Sequence, residues 1–335
     1  MKITFITHSL AGGGSEHVLT IIANYFATHG YEVTIISRTH KNNQYSIDSH
    51  IDVQYVETKS HLIFLRRSRQ IIRNIKPNTV ISFEYFYNMC AVLICLGLNV
   101  KLLISERNDP ARVGSGFIKS RIRNILYSFA DVLICQTDDA KNYFPDYIRK
   151  KVFIILNPIM SGLPSKQEKV RDKVIVNFCR LNKQKNIPLL ISAFEEFCNI
   201  HPDYELHIYG DGAEKETILD IIYSKHLERI IKVFPNTPNV HELVINAAMF
   251  VSTSDFEGLS NSMLEALSMG LPTICTDCPC GGARMVIEDG VNGFLIPVNN
   301  QKSLVDKMLL IAGSSELTIK LSNNALKINN KLNVD

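Results

Sequence analysis

Short β-branched runs recur along the chain at regular intervals, with helix-length segments between them. In the first half the runs are KITFIT, EVTIIS, DVQYVE, TVISF, KLLISE, DVLICQT and KVFIILN. In the second half they are KVIVNFCRL, YELHIYG, IIKVFP, MFVSTSD, LPTICTD and GFLIP. Continuous apolar runs of this kind, separated by helices, predict parallel sheets covered on both faces. The pattern stops and restarts across LNPIMSGLPSKQEKVRD (156–172), where two prolines, a glycine and clustered charges read as a connection. The expected architecture is α/β, with two doubly wound domains over 1–157 and 172–322, a linker over 158–171 and a tail over 323–335. Ligands of such sheets bind beyond the carboxyl ends of the strands, so a cleft between facing domains is the expected site.

The helical segments add two features. MCAVLICLGLNV (Met89 to Val100) is the longest apolar stretch, too short to span a membrane, and reads as a buried helix. HLIFLRRSRQIIRNIKP and GFIKSRIRNILYSFA alternate cationic and apolar residues at helical spacing. They lie in the basic half: residues 1–157 carry 19 Lys and Arg against 12 Asp and Glu, and residues 158–335 carry 17 against 21. One reading of these helices is a solvated face. The other is attraction to an anionic membrane surface, with Arg66, Arg67, Arg69, Arg73, Arg121 and Arg123 turned toward lipid. No secretory signal opens the sequence, and five of eight cysteines sit in apolar runs, as free thiols do in a reducing cytoplasm. The expected location is cytoplasmic, peripheral at the inner face of the cytoplasmic membrane, with no nucleic-acid partner.

Candidate chemistry gathers at strand ends. Gly12, Gly13 and Gly14 follow the first strand, where glycines let backbone approach a ligand and a helix N-terminus favours an anion. The third glycine of a dinucleotide fingerprint is missing, and Arg38 stands where such an enzyme carries an acid. In CRLNKQKNIP, Arg180 and Lys185 suit a diphosphate, with a solvated basic loop as the alternative. Gly210 and Gly212 permit backbone approach after the next strand, and Pro235 and Asn236 form a turn able to meet a base. In DFEGLSNSMLEALSMGLP the helix is expected to begin near Ser260. Glu257 and Gly258 lie in the loop before it, Glu265 lies inside it, and Leu259, Met263, Leu264 and Leu267 form its buried face. The helix's first N–H groups can hold a phosphate or sugar oxygen. TDD, from Thr137, reads as a helix cap. Cys275, Cys278 and Cys280 read as packing rather than as a metal site.

These motifs, in this order from residue 3 to about 312, resemble the retaining glycosyltransferases of family 4, which have the GT-B fold of two Rossmann-like domains. EGLSNSMLE resembles the family's E-x7-E motif, RLNKQKN its R-x4-K diphosphate clamp, and GGSE its glycine loop. The stretch EALSMGLPTICTDCPCGGARMVIEDGVNGFLIP resembles its C-terminal signature. The resemblance implies sugar transfer from a nucleotide sugar, expected to be a UDP-sugar, to a glycan or polyprenyl-linked acceptor, with retention and without a metal. Arg180 and Lys185 would neutralise the leaving diphosphate, Glu257 would bind the donor sugar and Glu265 the ribose. Gly13 and Gly14 would approach phosphate or acceptor. Many relatives carry a histidine where SERNDP stands here; Glu106, Arg107 and Asn108 take that region and are expected to meet acceptor or phosphate. A nucleotide-sugar binder without turnover is the alternative. Relatives also continue into a C-terminal helix that crosses back onto the first domain, and NNALKINNKLNVD stops short of one.

Overall fold

All thirteen apolar runs form strands. The computed structural model describes residues 1–41, 45–160, 162–165 and 170–332, and it divides into two compact units that meet in sequence between Pro158 and Ile159. In the first unit the strands are β1 (Lys2–Thr7), β2 (Glu32–Ser37), β3 (Asp52–Tyr55), β4 (Thr79–Phe83), β5 (Lys101–Ser105), β6 (Val132–Cys135) and β7 (Val152–Ile154). They pair in the order β3-β2-β1-β4-β5-β6-β7, every neighbour parallel. The helices are α1 (Gly14–Thr28), α2 (His61–Ile75), α3 (Tyr85–Cys95), α4 (Phe117–Tyr127), α5 (Asp138–Tyr143) and α6 (Asp146–Arg149). Phe5 and Ile35 of the sheet pack with Leu19 and Ala23 of α1 in a closed apolar layer.

The second unit repeats the plan. Its strands β8 (Asp172–Phe178), β9 (Glu205–Tyr209), β10 (Ile231–Phe234), β11 (Ala247–Ser252), β12 (Thr273–Thr276) and β13 (Phe294–Ile296) pair in parallel as β10-β9-β8-β11-β12-β13. Its helices are α7 (Ile187–Cys198), α8 (Lys215–Ser224), α9 (Val240–Val244), α10 (Asn261–Ser268), α11 (Gln301–Gly313) and α12 (Ser315–Ala325). Both units are thus doubly wound α/β sheets.

Local chemistry sets the helix ends. Ser60 caps α2 by accepting from Ile63 N, and Lys76 closes it in a left-handed conformation before Pro77. Thr137 caps α5 through Ala140 N at 3.0 Å, as its position in TDD predicts. At the end of α10, Gly270 (φ 70°) donates to Leu267 O and Leu271 N donates to Ala266 O, so the turn needs its glycine.

Four expectations change. The apolar run from Met89 does not stay helical to Val100. Gly97, at φ 72°, turns the chain after Cys95 and leaves Leu96 exposed. The linker over 158–171 is only partly a linker. Ile159 is buried in the second unit, and Arg171 donates to the carbonyls of Ile245, Ala247 and Gly270 and to Ser322 Oγ. Residues 161 and 166–169 of that segment lie outside the described residues. The stretch over 323–335 is no tail as far as Leu332. Leu321, Ala325, Ile328 and Leu332 repeat at helical spacing and are buried, and Asn329 bonds Ser268; residues 333–335 lie outside the described residues. Last, Arg123 does not face outward. It is fully buried, donates to Pro110 O at 2.7 Å and lies over the rings of Tyr143 and Phe144. Arg69 is half-buried and donates to Ile94 O, whereas Arg66, Arg67, Arg73 and Arg121 are exposed.

Candidate active site

In the second unit two loops at strand carboxyl ends are bolted together. After β8 the chain makes a 3-10 turn over Lys183–Lys185, then Asn186 adopts a left-handed conformation (φ 46°) and starts α7. After β11 comes the loop over 253–260. Asp255 N donates to Gln184 O at 2.8 Å, and Gln184 Nε2 donates to Phe256 O at 2.8 Å. Asn186 Nδ2 reaches Asp255 Oδ1 at 2.8 Å, and the single Thr253 hydroxyl proton is shared between the carbonyls of Lys185 and Asn186, each 3.0 Å from Oγ1. Polar side chains thereby hold a position near 185 against one near 257.

The result is an ion pair. Lys185 Nζ lies 2.5 Å from Glu257 Oε2, with the two side chains only 13 % and 21 % exposed. Ser254 Oγ donates to the same carboxylate oxygen at 3.0 Å. Burial acts to lower the Lys185 ammonium, but the Glu257 carboxylate and the neighbouring sulfurs together outweigh it and hold the group above its ordinary value. Around the pair stand the thiols of Cys179, Cys275 and Cys278. Burial raises all three, Cys179 and Cys278 to about 12, so they stay protonated. A cation and a carboxylate ringed by weakly polar sulfur are screened little by water. Arg180, two residues past β8, is exposed, unlike Lys185.

Glycines set how closely these loops approach each other. A Cβ on Gly282 would lie 1.7 Å from Gly258 O, and Glu257 N donates to Pro279 O at 3.1 Å. The CPCGG loop therefore backs the Glu257 loop. Gly210 and Gly212 make their close approach to protein rather than to open space: Cβ atoms there would meet Cys179 O and Leu181 O at 2.0 Å. Asn236 N, expected to be open to a base, is held by Asp211 Oδ2 at 2.8 Å, while Pro235 and Asn236 are exposed. Ser260 takes the N-cap of α10, and Leu259, Met263, Leu264 and Leu267 are buried as expected. Glu265, little more than one turn into α10, accepts from His241 Nε2 at 3.0 Å, and the His241 ring meets Phe178 edge-on. His241 and Ser254 join the site unannounced by any motif. Ser254 sat in plain view at a strand end, but nothing in the spacing marks His241, 24 residues from its partner.

In the first unit Gly12 (φ 84°) makes the turn after β1, and Gly13 is the N-cap of α1. The side of Gly13 is filled by the Glu16 carboxylate, which a Cβ would strike at 1.8 Å. Ser15 Oγ lies within hydrogen-bond distance of both the Glu16 and the Glu84 carboxylates and has one proton to share between them. Glu84, at the end of β4, holds φ 76° and ψ 144°, a strained conformation for a residue with a side chain. Gly14 opens α1 itself.

The SERNDP region departs from expectation. Glu106 cannot meet an acceptor from its present position: it is buried, takes a hydrogen bond from Tyr127 OH at 2.9 Å, and burial pushes its carboxyl up to about 7. Arg107 donates to Asn157 Oδ1 at 2.5 Å and lies 4.3 Å over the Phe83 ring, and burial lowers it to about 10. Its Nε has no partner among the described residues. Asn108 uses its side chain on Asp109 N. Arg38 is likewise spent on structure, donating to Thr58 O and Lys59 O.

Residues 12–160 match the family described as Glycosyltransferase Family 4, and residues 163–328 match Glycosyl transferases group 1. An uncharacterized glycosyltransferase of Haemophilus influenzae is 23 % identical over 95 % of this chain and 92 % of its own. A Campylobacter jejuni enzyme, GalNAc-alpha-(1->4)-GalNAc-alpha-(1->3)-diNAcBac-PP-undecaprenol alpha-1,4-N-acetyl-D-galactosaminyltransferase, is 25 % identical over 97 % of this chain and 92 % of its own. Among solved structures, Anabaena HepE in complex with UDP and glucose superposes with a TM-score of 0.85 at 17 % identity, over 100 % of this chain and 96 % of that one.

Proposed function

The chain belongs to the GT-B glycosyltransferases, and on that premise we propose that it moves a sugar from a UDP-sugar to a lipid-linked glycan, with retention, in surface polysaccharide assembly. The observation that carries this reading is the Lys185–Glu257 pair, fixed between two strand ends. A leaving diphosphate concentrates negative charge, and a preformed ammonium beside it stabilises that charge without reorganisation. Arg180, exposed on the same loop, supplies the second cation. Glu257 is the acceptor for donor-sugar hydroxyls, and Glu265, steadied by His241, the acceptor for the ribose hydroxyls. The bond from the anomeric carbon to the phosphate oxygen breaks and UDP leaves. The acceptor hydroxyl bonds that carbon from the same face, and its proton passes to the departing diphosphate. The charge is neutralised by side chains, so the reaction needs no divalent metal.

Support for the donor comes from UDP in the HepE complex, and for the acceptor from the undecaprenol-linked substrate that the Campylobacter relative's name records. The test is incubation of the purified chain with a panel of UDP-sugars and an undecaprenyl-diphosphate-linked oligosaccharide. Transfer of one sugar, with the donor's anomeric configuration kept in the product by NMR, is the expected result. UDP-sugar binding without transfer or hydrolysis would instead favour a non-catalytic nucleotide-sugar binder.

A further inference from the structure

Arg107 carries a charge that the first unit does not balance. It stands two residues past β5 and lies 4.3 Å over the ring of Phe83, the last residue of β4. Asn157, three residues past β7, accepts through Oδ1 from Arg107 Nη1 at 2.5 Å and from Nε2 of Gln136, the first residue past β6. β4, β5, β6 and β7 are consecutive parallel strands. All four side chains therefore gather at the carboxyl edge of the sheet, where such sheets hold ligands. A desolvated guanidinium ordinarily meets a carboxylate, because an unpaired charge out of water is costly. Among the described residues Arg107 meets none: its contacts are the Asn157 amide oxygen and the Phe83 ring. The adjoining acid, Glu106, is taken by Tyr127 OH. Burial lowers the guanidinium only to about 10, so it stays a cation at neutral pH.

With Nη1 on Asn157, Nε and Nη2 make no hydrogen bond to a described residue. Their two N–H groups form one edge of the planar fork, parallel donors spaced for two oxygens of one anion. Gln136 holds Asn157, and Asn157 holds the guanidinium plane, so the fork is set before a ligand arrives. The residue is still partly exposed, which leaves it open to a ligand. We propose that the free edge of Arg107 is a subsite for a diphosphate group, the one that links the glycan of the acceptor to its lipid. A guanidinium fork takes carboxylate and phosphate alike. The choice of diphosphate rests on the reaction proposed above, whose acceptor carries one. The UDP of the donor carries the same group, but the second unit already offers Lys185 and Arg180 to it.

Arg107→Gln keeps a donor for Asn157 and removes the charge and the fork, whereas Arg107→Lys keeps the charge alone. Calorimetric titration of the full chain with farnesyl diphosphate, in saturating UDP so that the second unit's cations are occupied, should show binding. Arg107→Gln should weaken it by about tenfold or more, and Arg107→Lys by less. Two acceptors that share one neutral oligosaccharide, the first on a prenyl diphosphate and the second on an uncharged octyl group, carry the idea into transfer. The ratio of their kcat/KM values should fall by about tenfold or more in Arg107→Gln, because only the first uses the subsite. The thermal midpoint without ligand should not fall, since the change removes an unbalanced charge. Equal losses with both acceptors and a lower midpoint would make Arg107 purely structural and overturn the proposal. So would absence of farnesyl diphosphate binding, or an affinity unchanged in Arg107→Gln. A loss of UDP affinity in its place would hand the subsite to the donor and overturn it as well. The reaction and the subsite fail separately. Farnesyl diphosphate binding that depends on Arg107, without transfer to any acceptor, rejects the reaction alone. Transfer to the diphosphate-linked acceptor undiminished in Arg107→Gln rejects the subsite alone.

Discussion

Lys185 and Glu257 show what one residue contributes. Lys185→Ala removes a cation that meets leaving-group charge, so kcat/KM is expected to fall by about 10²-fold or more. The same change leaves Glu257, 21 % exposed, without its cation, so the thermal midpoint should fall too. Arg180→Ala should lower kcat/KM comparably with little change in midpoint, because Arg180 is exposed. Steady-state kinetics beside thermal denaturation separate the two effects, and unchanged turnover in both variants would remove the clamp. Glu106 gives a second prediction at this scale. Burial raises its carboxyl from 4.5 in the open chain to about 7 in the fold. The neutral acid is favoured by folding, so its contribution is full below pH 4.5 and is lost as pH rises through about 7. The loss is on the order of 3 kcal/mol. Glu106→Gln keeps a neutral group there, and its midpoint from pH 5 to 8 should decline less than that of the natural chain.

At the scale of the element, strands were legible because parallel, doubly covered strands are apolar on both faces, and β-branched runs announce that directly. Helix facing was less legible. The spacing of α4 gathers Ile118, Ile122 and Ile125 on one side, with Phe129 in line beyond the helix, but it does not say whether that side meets the sheet. Arg123 goes inward because Pro110 O and the rings of Tyr143 and Phe144 receive it, and those partners are remote or unmarked in sequence. Glycines show the same limit. Their positions after strands signal close approach, but not whether a ligand or another loop is approached. For Gly210, Gly212 and Gly282 the neighbour is backbone. Gly282→Ala should therefore push the Glu257 loop away from its backing, at about 1–3 kcal/mol. Activity should fall further than stability alone explains. Calorimetry with kinetics checks this, and a fully active, equally stable variant would show that the loops have slack.

For the whole molecule, the division into two doubly wound units was visible in the break around residues 156–172. Its position shifted because Ile159 and Arg171, inside that break, are anchored to the second unit by buried contacts far away in sequence. The site was legible as far as residue types and strand ends allowed. The pairing of Lys185 with Glu257, 72 residues apart, needed the fold. Since cations on one unit carry the proposed charge stabilisation, transfer should survive EDTA; loss of activity that Mg²⁺ or Mn²⁺ restores would point to a metal-assisted reaction. The second unit has one more property. Ile159 N donates to Leu332 O at 2.9 Å, so the point where the chain joins this unit lies beside the last described turn. Topologically the unit is nearly a closed ring. Joining residue 332 to 159 and opening the chain at the exposed turn near Pro202 and Asp203 should give a circular permutant that keeps the six-stranded sheet and the Lys185–Glu257 loops. The order of segments along the chain would then be separable from the architecture that holds the site.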